Sequence, residues 1–207
     1  MNAVWRVLLP GAGALLVLTA GAVLLCPGGQ CAVPALDASG LAAAHASRSA
    51  WLDSLARGIT WAGSLLVLLP VALLFAWRKS RHTGWRQASF LPLALLSATA
   101  MANLAKYLVL RPRPEFCPPL APMPADASFP SAHAMQVTAL VLAYLLRPGA
   151  RPNLGEWLAG AALVLLVSYS RIHLQVHFPS DVLVGSLAAA LLVLSLRELP
   201  VWRRAAS

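Results

Sequence analysis

Charged side chains are scarce in this sequence. Only 11% of its 207 residues are Asp, Glu, Lys or Arg, whereas a soluble domain is typically about a quarter charged. Hydrophobic residues make up 59% of the chain, and the mean hydropathy is +0.71. These values predict a membrane protein. Long linkers and low-complexity segments are also lacking, so we expect residues 1–207 to form a single integral-membrane domain.

Cysteine is equally rare. Cys117 stands alone, and Cys26 and Cys31 flank a Pro-Gly-Gly-Gln turn. No histidine pair lies near that turn, which excludes the usual zinc-ligand spacing. In an oxidising compartment Cys26 and Cys31 could form a structural disulfide, and two free thiols are an equally open alternative.

Acidic residues are few: 7 stand against 16 Lys and Arg, for a formal net charge of +9. The basic residues punctuate apolar stretches and form no run interleaved with aromatic residues. We therefore expect no nucleic-acid partner. The cations must instead serve either membrane topology or a binding site.

Apolar stretches of membrane-spanning length dominate the chain, and we predict an all-α bundle of about six transmembrane helices. Their approximate ranges are 4–25, 58–77, 88–110, 131–146, 157–170 and 181–196. The first is long for a signal peptide and more spans follow, so we expect it to be retained. A more polar segment, 42–55, predicts a short helix on the membrane surface.

Basic residues cluster at alternate ends of these stretches, at Arg6, 78–86, 147–153 and 197–204. The positive-inside rule then places both termini in the cytoplasm and the loops 26–57, 111–130 and 171–180 at the outer face. Four basic residues lie at the outer face, where the positive-inside rule does not account for them, so they need another role. They are Lys106, Arg111, Arg113 and Arg171.

Three strings at this outer face together resemble a phosphate site. They are 106–114 (KYLVLRPRP), 129–133 (FPSAH) and 170–181 (SRIHLQVHFPSD). A phosphate monoester carries nearly two negative charges, which Lys106, Arg113 and Arg171 could hold from three segments. A helix beginning near Ser131 would add its free N–H groups and the positive end of its dipole.

Two histidines and one carboxylate supply chemistry at the same face. Asp181 follows His177 by four residues, with Pro179 between them, which fits a helix that starts near Pro179. Asp181 could then orient one ring nitrogen of His177 and leave the other free to attack phosphorus. His133, in the first turn of its helix, could protonate a departing oxygen.

Each of these residues has an ordinary explanation when it is taken alone. A cation near a helix end usually snorkels to the interface, a histidine there is usually an interfacial residue, and Ser131 or Asp181 could be a helix cap. Their ordered occurrence at one face, at helix ends that can converge, favours a site.

The three strings resemble the signature of the type-2 phosphatidic acid phosphatase family, the membrane branch of the superfamily that includes vanadium haloperoxidases. That signature has Lys, six residues and Arg-Pro, then Pro-Ser-Gly-His, then Ser-Arg, five residues, His, three residues and Asp. One position departs from it, because Ala132 replaces the usual glycine. We expect a helical backbone there, in which alanine keeps the same N–H donor; a positive φ would instead strain the phosphate contact.

The resemblance implies a metal-independent lipid phosphatase without cofactor, which forms a phosphohistidine. Its catalytic residues would be His177, His133 and Asp181, and its substrate-binding residues Lys106, Arg113, Ser131, Ala132 and Arg171. Arg111 and His173 lie outside the matched positions, and we expect of them at most a contact with substrate.

Several substrates and activities stay open. Undecaprenyl pyrophosphate, phosphatidylglycerophosphate, phosphatidate and a lipid A phosphate would all suit a site that faces the periplasm from a bacterial inner membrane. A lipid phosphotransferase would use the same histidine. A channel or transporter fits less well, because the charges cluster at one face rather than along the midplane. A haloperoxidase fits poorly, because those enzymes are soluble as a class.

Overall fold

The computed structural model describes residues 3–203 of the chain, and within that range every regular element is a helix. The basic tail residue Arg204 lies outside the described residues. Two short 3-10 helices, Pro27–Gly29 and Thr60–Gly63, accompany the α-helices. The α-helices are α1 (Ala3–Leu25), α2 (Ala35–Ala46), α3 (Ala50–Ile59), α4 (Leu65–Thr83), α5 (Trp85–Ala88), α6 (Phe90–Val109), α7 (Ala132–Leu145), α8 (Leu154–His173), α9 (Pro179–Arg197) and α10 (Pro200–Arg203).

Three stretches of the described chain are long and apolar enough to cross a membrane. They are Val4–Leu25, Trp85–Val109 and Pro179–Arg197. A fourth candidate is a bent pair in which Ala50–Gly63 meets α4 at 47°. Helices α7 and α8 are not among these candidates. Helix α7 has only 14 residues, and α8 carries polar residues at both ends. The all-α membrane class is confirmed, whereas the count of about six spans stays a prediction.

The predicted single surface helix over 42–55 is wrong in its bounds. Two helices, α2 and α3, occupy this region and are separated at Ser47 to Ser49. Ser49 has an extended backbone, with φ −155° and ψ 152°, so the chain turns there before α3 begins. The polar Ser-Arg-Ser sequence at the break competes with helical hydrogen bonding, which the apolar spacing on either side does not reveal.

The second and fifth predicted spans also have different ends. Helix α4 begins at Leu65 rather than near 58, because Ser64 caps it: its Oγ accepts a hydrogen bond from the Leu66 N–H at 3.3 Å. Helix α8 begins earlier than predicted because Asn153 and Glu156 form a capping box, with reciprocal hydrogen bonds of 3.0 and 2.9 Å. It also continues to His173.

Helix α7 lies at the centre of the bundle and packs against α6, α8 and α9, while α9 also packs along α1. Gly185 permits the close approach of α9 to the start of α7. A Cβ atom on Gly185 would lie 3.1 Å from Cγ of Met135 and 3.3 Å from the Ser131 carbonyl oxygen. The approach is reinforced by a hydrogen bond of 3.1 Å from the Ser131 N–H to the Asp181 carbonyl oxygen. The N-terminal ends of α7 and α9 therefore meet.

Large apolar side chains cover the outside of the bundle. Leu24 and Leu66 are each 76% exposed, and Leu165 is 68% exposed. In water such a surface would be an aggregation hazard, whereas lipid chains solvate it without penalty. The polar residues of the three strings are instead turned inward at one end of the bundle, where α6 ends and α7 and α9 begin.

Candidate active site

His177 lies in the short connection between α8 and α9, with only 2% of its surface exposed. Its Nδ1 atom faces Asp181 Oδ2 at 3.5 Å and Ser128 Oγ at 3.4 Å. Its Nε2 atom lies 3.2 Å from Arg113 Nη1. Because that guanidinium nitrogen can only donate, Nε2 is the unprotonated nitrogen of the ring.

The environment of His177 keeps its ring neutral. Burial, followed by the positive charges of Arg171 and Arg113, lowers the pKa of His177 well below its usual value of 6.5. A neutral imidazole retains the lone pair that an attack on phosphorus requires.

Asp181 is fully buried, and its carboxylate is surrounded by donors. Oδ2 accepts hydrogen bonds from Ser128 Oγ and from the Phe178 N–H, the latter at 3.1 Å. Oδ1 accepts from Arg111 Nη1 at 2.6 Å. The carboxylate is thereby fixed with one oxygen toward the His177 ring.

Arg111 joins Asp181 to a second buried carboxylate, Asp37 on α2. Its Nη2 atom lies 2.7 Å from Asp37 Oδ2, and neither side chain is more than 1% exposed. Asp37 also accepts from the Ser180 N–H at 2.8 Å and from Ser180 Oγ at 2.6 Å. Asp37 thus caps the N-terminus of α9 from another helix. The structure places Arg111 behind Asp181, in a position different from the substrate contact considered from the sequence.

The loop before α2 is part of the same arrangement. Cys26 and Cys31 are joined by a disulfide bond, and the carbonyl oxygen of the next residue, Ala32, accepts from Arg111 Nη2 at 3.2 Å. Of the two states that the sequence left open, the structure has the disulfide.

Lys106 and Arg113 converge on the carboxylate of Asp126, in the loop between α6 and α7. Lys106 Nζ lies 3.2 Å from Asp126 Oδ2, and Arg113 Nη2 lies 2.6 Å from Asp126 Oδ1. Lys106 also donates to the Ala127 carbonyl oxygen. Burial by itself would raise the pKa of Asp126, but the hydrogen bond from Arg113 and the charge of Lys106 outweigh it and lower the pKa.

Arg171, near the end of α8, is the third cation. Its Nη1 atom donates to Thr60 Oγ1 at 2.6 Å. Its buried Nε atom has no hydrogen-bond partner among the described residues. A buried donor without an acceptor costs free energy, and a bound anion would remove that cost.

His133 and Arg171 line the same cavity, which has a volume of about 610 Å³. Trp61 and Leu66 form part of its wall and are themselves 57% and 76% exposed. The cavity lining therefore combines basic side chains with apolar ones, two of which are exposed at the outer surface of the bundle. Such a lining suits a molecule with an anionic head and an apolar tail.

Ser131 and Ala132 form the start of α7. Ser131 Oγ accepts a hydrogen bond from the Ala134 N–H at 3.5 Å, as an N-cap does. Ala132 is the first helical residue and is not among the described residues with a positive φ. The alanine therefore imposes no backbone strain at the position where the family has glycine.

His173 occupies a different environment from the other histidines. Its ring is fully buried, and its Nε2 atom lies 2.8 Å from Asp53 Oδ1 on α3. The contact links α8 to α3 and leaves His173 no exposed surface for a substrate.

Sequence reasoning missed Ser128, Asp37 and Asp126. Ser128 lies just before the FPSAH string, and its proximity to that string was the only available signal. Asp37 and Asp126 are loop or surface-helix residues by pattern, and only the fold brings them to Arg111, Lys106 and Arg113. Within residues 3–203 no group of three or more His, Cys, Asp and Glu side chains is arranged to hold a metal ion. The expectation of metal independence stays a prediction.

Residues 87–205 match the model of the PAP2 superfamily. The chain is 34% identical over 128 residues to an undecaprenyl-diphosphatase of Sulfolobus acidocaldarius, an alignment that covers 59% of this chain and 58% of that protein. It is 31% identical over 167 residues to phosphatidylglycerophosphatase B of Bacillus subtilis, covering 74% of this chain and 78% of the relative.

A crystal structure also resembles the fold. It is that of a transmembrane PAP2-type phosphatidylglycerolphosphate phosphatase from Bacillus subtilis, which superposes with a TM-score of 0.77 at 26% identity. The superposition covers 93% of this chain and 94% of the other. The likeness thus extends beyond residues 87–205 to the helices that precede them.

Proposed function

The chain belongs to the PAP2 superfamily, and on that premise we propose that it is a membrane phosphatase that hydrolyses a lipid phosphate through a phosphohistidine at His177. One observation carries the proposal above the others. The Nδ1 side of His177 faces the Asp181 carboxylate, and its Nε2 atom faces the Arg113 guanidinium group. A phosphoryl group bound by Lys106, Arg113 and Arg171 would be attacked by Nε2, which would exchange its contact with Arg113 for the bond to phosphorus.

Substrate binding would rely on Lys106, Arg113 and Arg171. The three cations come from the end of α6, the following loop and the end of α8, so together they can hold a phosphate from several sides. The Ala132 N–H and the Ser131 hydroxyl, at the start of α7, would add donors, together with the positive end of the helix dipole. The Ser131 N–H itself donates to the Asp181 carbonyl oxygen.

The first chemical step is transfer of the phosphoryl group to His177. Nε2 forms a bond to phosphorus as the bond to the leaving oxygen breaks, and His133 gives that oxygen a proton. Asp181 stabilises the positive charge that develops on the ring, through the Nδ1–H. The cations stabilise the charge on the transferring group.

The second step returns the histidine to its first state. Water attacks phosphorus, His133 takes a proton from that water, and the bond between phosphorus and Nε2 breaks. Inorganic phosphate leaves and His177 is again neutral. If a second lipid replaced water at this step, the protein would be a phosphotransferase instead.

The substrate that we propose is a phosphorylated membrane lipid. The lining of the 610 Å³ cavity combines His133 and Arg171 with the exposed apolar residues Trp61 and Leu66, which supports a leaving group with an apolar tail. Undecaprenyl diphosphate and phosphatidylglycerophosphate, after which the two relatives are named, are the first candidates; phosphatidate and a lipid A phosphate complete the set to be tested.

We further propose that the chain is one domain in a bacterial inner membrane, with about six spans, both termini cytoplasmic and the site facing the periplasm. The course of α6 supports this orientation. It begins after the basic segment 78–86, and its last turn carries Lys106, which together with Arg113 and Arg171 forms the proposed phosphate cradle. Its 20 residues span about 30 Å, roughly the thickness of a bilayer core.

The proposal is tested by phosphate release from the four lipids in detergent, without any acceptor lipid. We expect release from at least one lipid, inhibition by orthovanadate and no effect of EDTA. His177→Ala should abolish release, whereas His82→Ala, which removes an exposed histidine at the end of α4, should leave it unchanged.

Three results would contradict it. They are ordinary turnover by His177→Ala, loss of activity on chelation that Mg²⁺ restores, and phosphate transfer only when an acceptor lipid is present.

A further inference from the structure

The Asp126 carboxylate pairs with Lys106 and Arg113, two of the cations that are proposed to bind the substrate's phosphate. Its two carboxylate oxygens contact Lys106 Nζ at 3.2 Å and Arg113 Nη2 at 2.6 Å. Yet the Asp126 side chain is 52% exposed, whereas those of Lys106 and Arg113 are 5% and 8% exposed. A half-exposed anion thus covers two buried cations.

Every N–H group of Arg113 has an acceptor while the Asp126 carboxylate stays in place. A guanidinium group has five N–H bonds, and each of them has an acceptor here. Nε donates to the Asp126 carbonyl oxygen at 2.9 Å. Nη1 contacts the Val176 carbonyl oxygen at 2.6 Å and His177 Nε2 at 3.2 Å. Nη2 contacts Asp126 Oδ1 at 2.6 Å and the Ala127 carbonyl oxygen at 3.5 Å. A phosphate oxygen can bind Arg113 only by replacing one of these acceptors.

The Asp126 carboxylate is the acceptor best able to leave. Three of the others are backbone carbonyl oxygens, held in place by the chain on both sides, and the fourth is the nucleophile itself. The carboxylate sits on a short side chain that faces solvent on one side, and a rotation about its χ angles would return it to water. Because its pKa is lowered by Arg113 and Lys106, it carries a full charge when it competes.

We propose that Asp126 competes with phosphate for Lys106 and Arg113, and so sets how tightly the site holds both the substrate's phosphate and the inorganic phosphate that is released. This rests on the proposed function. Asp126 is then a residue that determines anion affinity, acting through the two cations rather than on the reacting atoms.

Competition between Asp126 and inorganic phosphate would assist the release of product during turnover. Three cations and a helix N-terminus would hold inorganic phosphate tightly after hydrolysis, and tight binding of substrate and product alike does not accelerate the chemical step. A carboxylate that returns to Lys106 and Arg113 as phosphate departs weakens product binding. Release of product limits many enzymes.

The test is the affinity of the full-length protein in detergent for two anions, inorganic phosphate and orthovanadate, measured by calorimetry and as inhibition constants. Asp126→Asn removes the charge and keeps the size of the side chain. We expect both anions to bind roughly 3- to 30-fold more tightly to this variant than to the wild type. Asp126→Ser is a second neutral variant, so the test does not depend on the folding of one protein; melting temperature reports folding for each.

Glu115→Gln is the matched control. Glu115 lies in the same loop, is exposed, and forms no ion pair within the described part of the chain. Its replacement removes the same charge without removing an ion-pair partner of Lys106 or Arg113, so we expect wild-type affinity for both anions.

Unchanged or weaker anion binding by the two neutral Asp126 variants would overturn the proposal, since it would mean that Asp126 merely holds Lys106 and Arg113 in place. An equal gain in Glu115→Gln would also overturn it, because the effect would then be one of net charge. If neither anion binds to the wild type or to any variant, the phosphate cradle and the proposed function fail together.

Discussion

The protonation of His177 is the first question at the scale of single residues. Burial and the charges of Arg171 and Arg113 lower its pKa well below 6.5, so the ring should remain neutral at pH values where an exposed histidine is half protonated. In the unfolded chain the same ring titrates near 6.5. Below that pH the unfolded state binds a proton that the folded state does not. His177 therefore reduces stability progressively as the pH falls.

We expect an NMR titration of histidine-labelled protein in detergent to place the midpoint of His177 below pH 6.5. Comparison with His177→Ala would assign the resonance. A midpoint for His177 at or above pH 6.5 would contradict the account of its environment.

Ala132 gives a second prediction for a single residue. Since its backbone is helical and its φ is not positive, the family's glycine should offer no advantage here. Ala132→Gly should leave kcat/KM for the preferred lipid within about twofold and lower stability by no more than about 1 kcal/mol. A large gain in kcat/KM would show that the alanine strains the phosphate site after all.

At the scale of helices, the docking of α2 on α9 depends on Asp37. The carboxylate caps α9 through the Ser180 N–H and neutralises Arg111, which in turn holds Asp181. Removal of one partner from a buried ion pair typically costs about 3–5 kcal/mol. We expect Asp37→Ala to lower the melting temperature markedly and, in protein that remains folded, to reduce kcat more than it alters KM.

Ser39→Ala is the control for Asp37→Ala, since Ser39 is an exposed residue of the same helix. It should match the wild type in both melting temperature and kcat. If Asp37→Ala also matched the wild type, the arrangement of Asp37, Arg111 and Asp181 would have no role in positioning the site.

Long apolar runs made some helices predictable. Helices α1, α6 and α9 begin and end within about two residues of the ranges expected from the sequence, because each is a long, mainly apolar stretch. Helices α2 and α3 were not separated, because the break between them consists of ordinary polar residues. The ends of α4 and α8 depend on capping by Ser64 and Asn153, signals that apolar periodicity does not contain.

Some polar residues of the site could likewise be predicted from the sequence, and others could not. The residues in the three strings could be named from the sequence, and the structure brings Lys106, Arg113 and Arg171 to the end of the bundle where His177 and His133 lie. Asp37, Ser128 and Asp126 could not be named, because each acts through a contact with a residue far away in the chain. Such contacts are products of the fold, and apart from the position of Ser128 next to the FPSAH string the sequence carries no local signal for them.

At the scale of the whole molecule, the orientation in the membrane gives a separate prediction. Glu115 lies in the loop that follows α6, and His82 lies near the end of α4. In a Cys117→Ser background, a membrane-impermeant maleimide applied to intact spheroplasts should label Glu115→Cys and leave His82→Cys unlabelled until the membrane is broken. The reverse pattern would place the site on the cytoplasmic side.

The most direct test of the central claim is to trap the phosphorylated enzyme. Wild-type protein would be mixed with the preferred lipid, quenched in alkali within one turnover and digested, and the phosphate located by mass spectrometry. We expect phosphate on the ring of His177, more of it at short times than at equilibrium, and none in His177→Ala. Rapid release of inorganic phosphate with no phosphate on His177 at any time, or phosphate bound to another residue, would contradict the account.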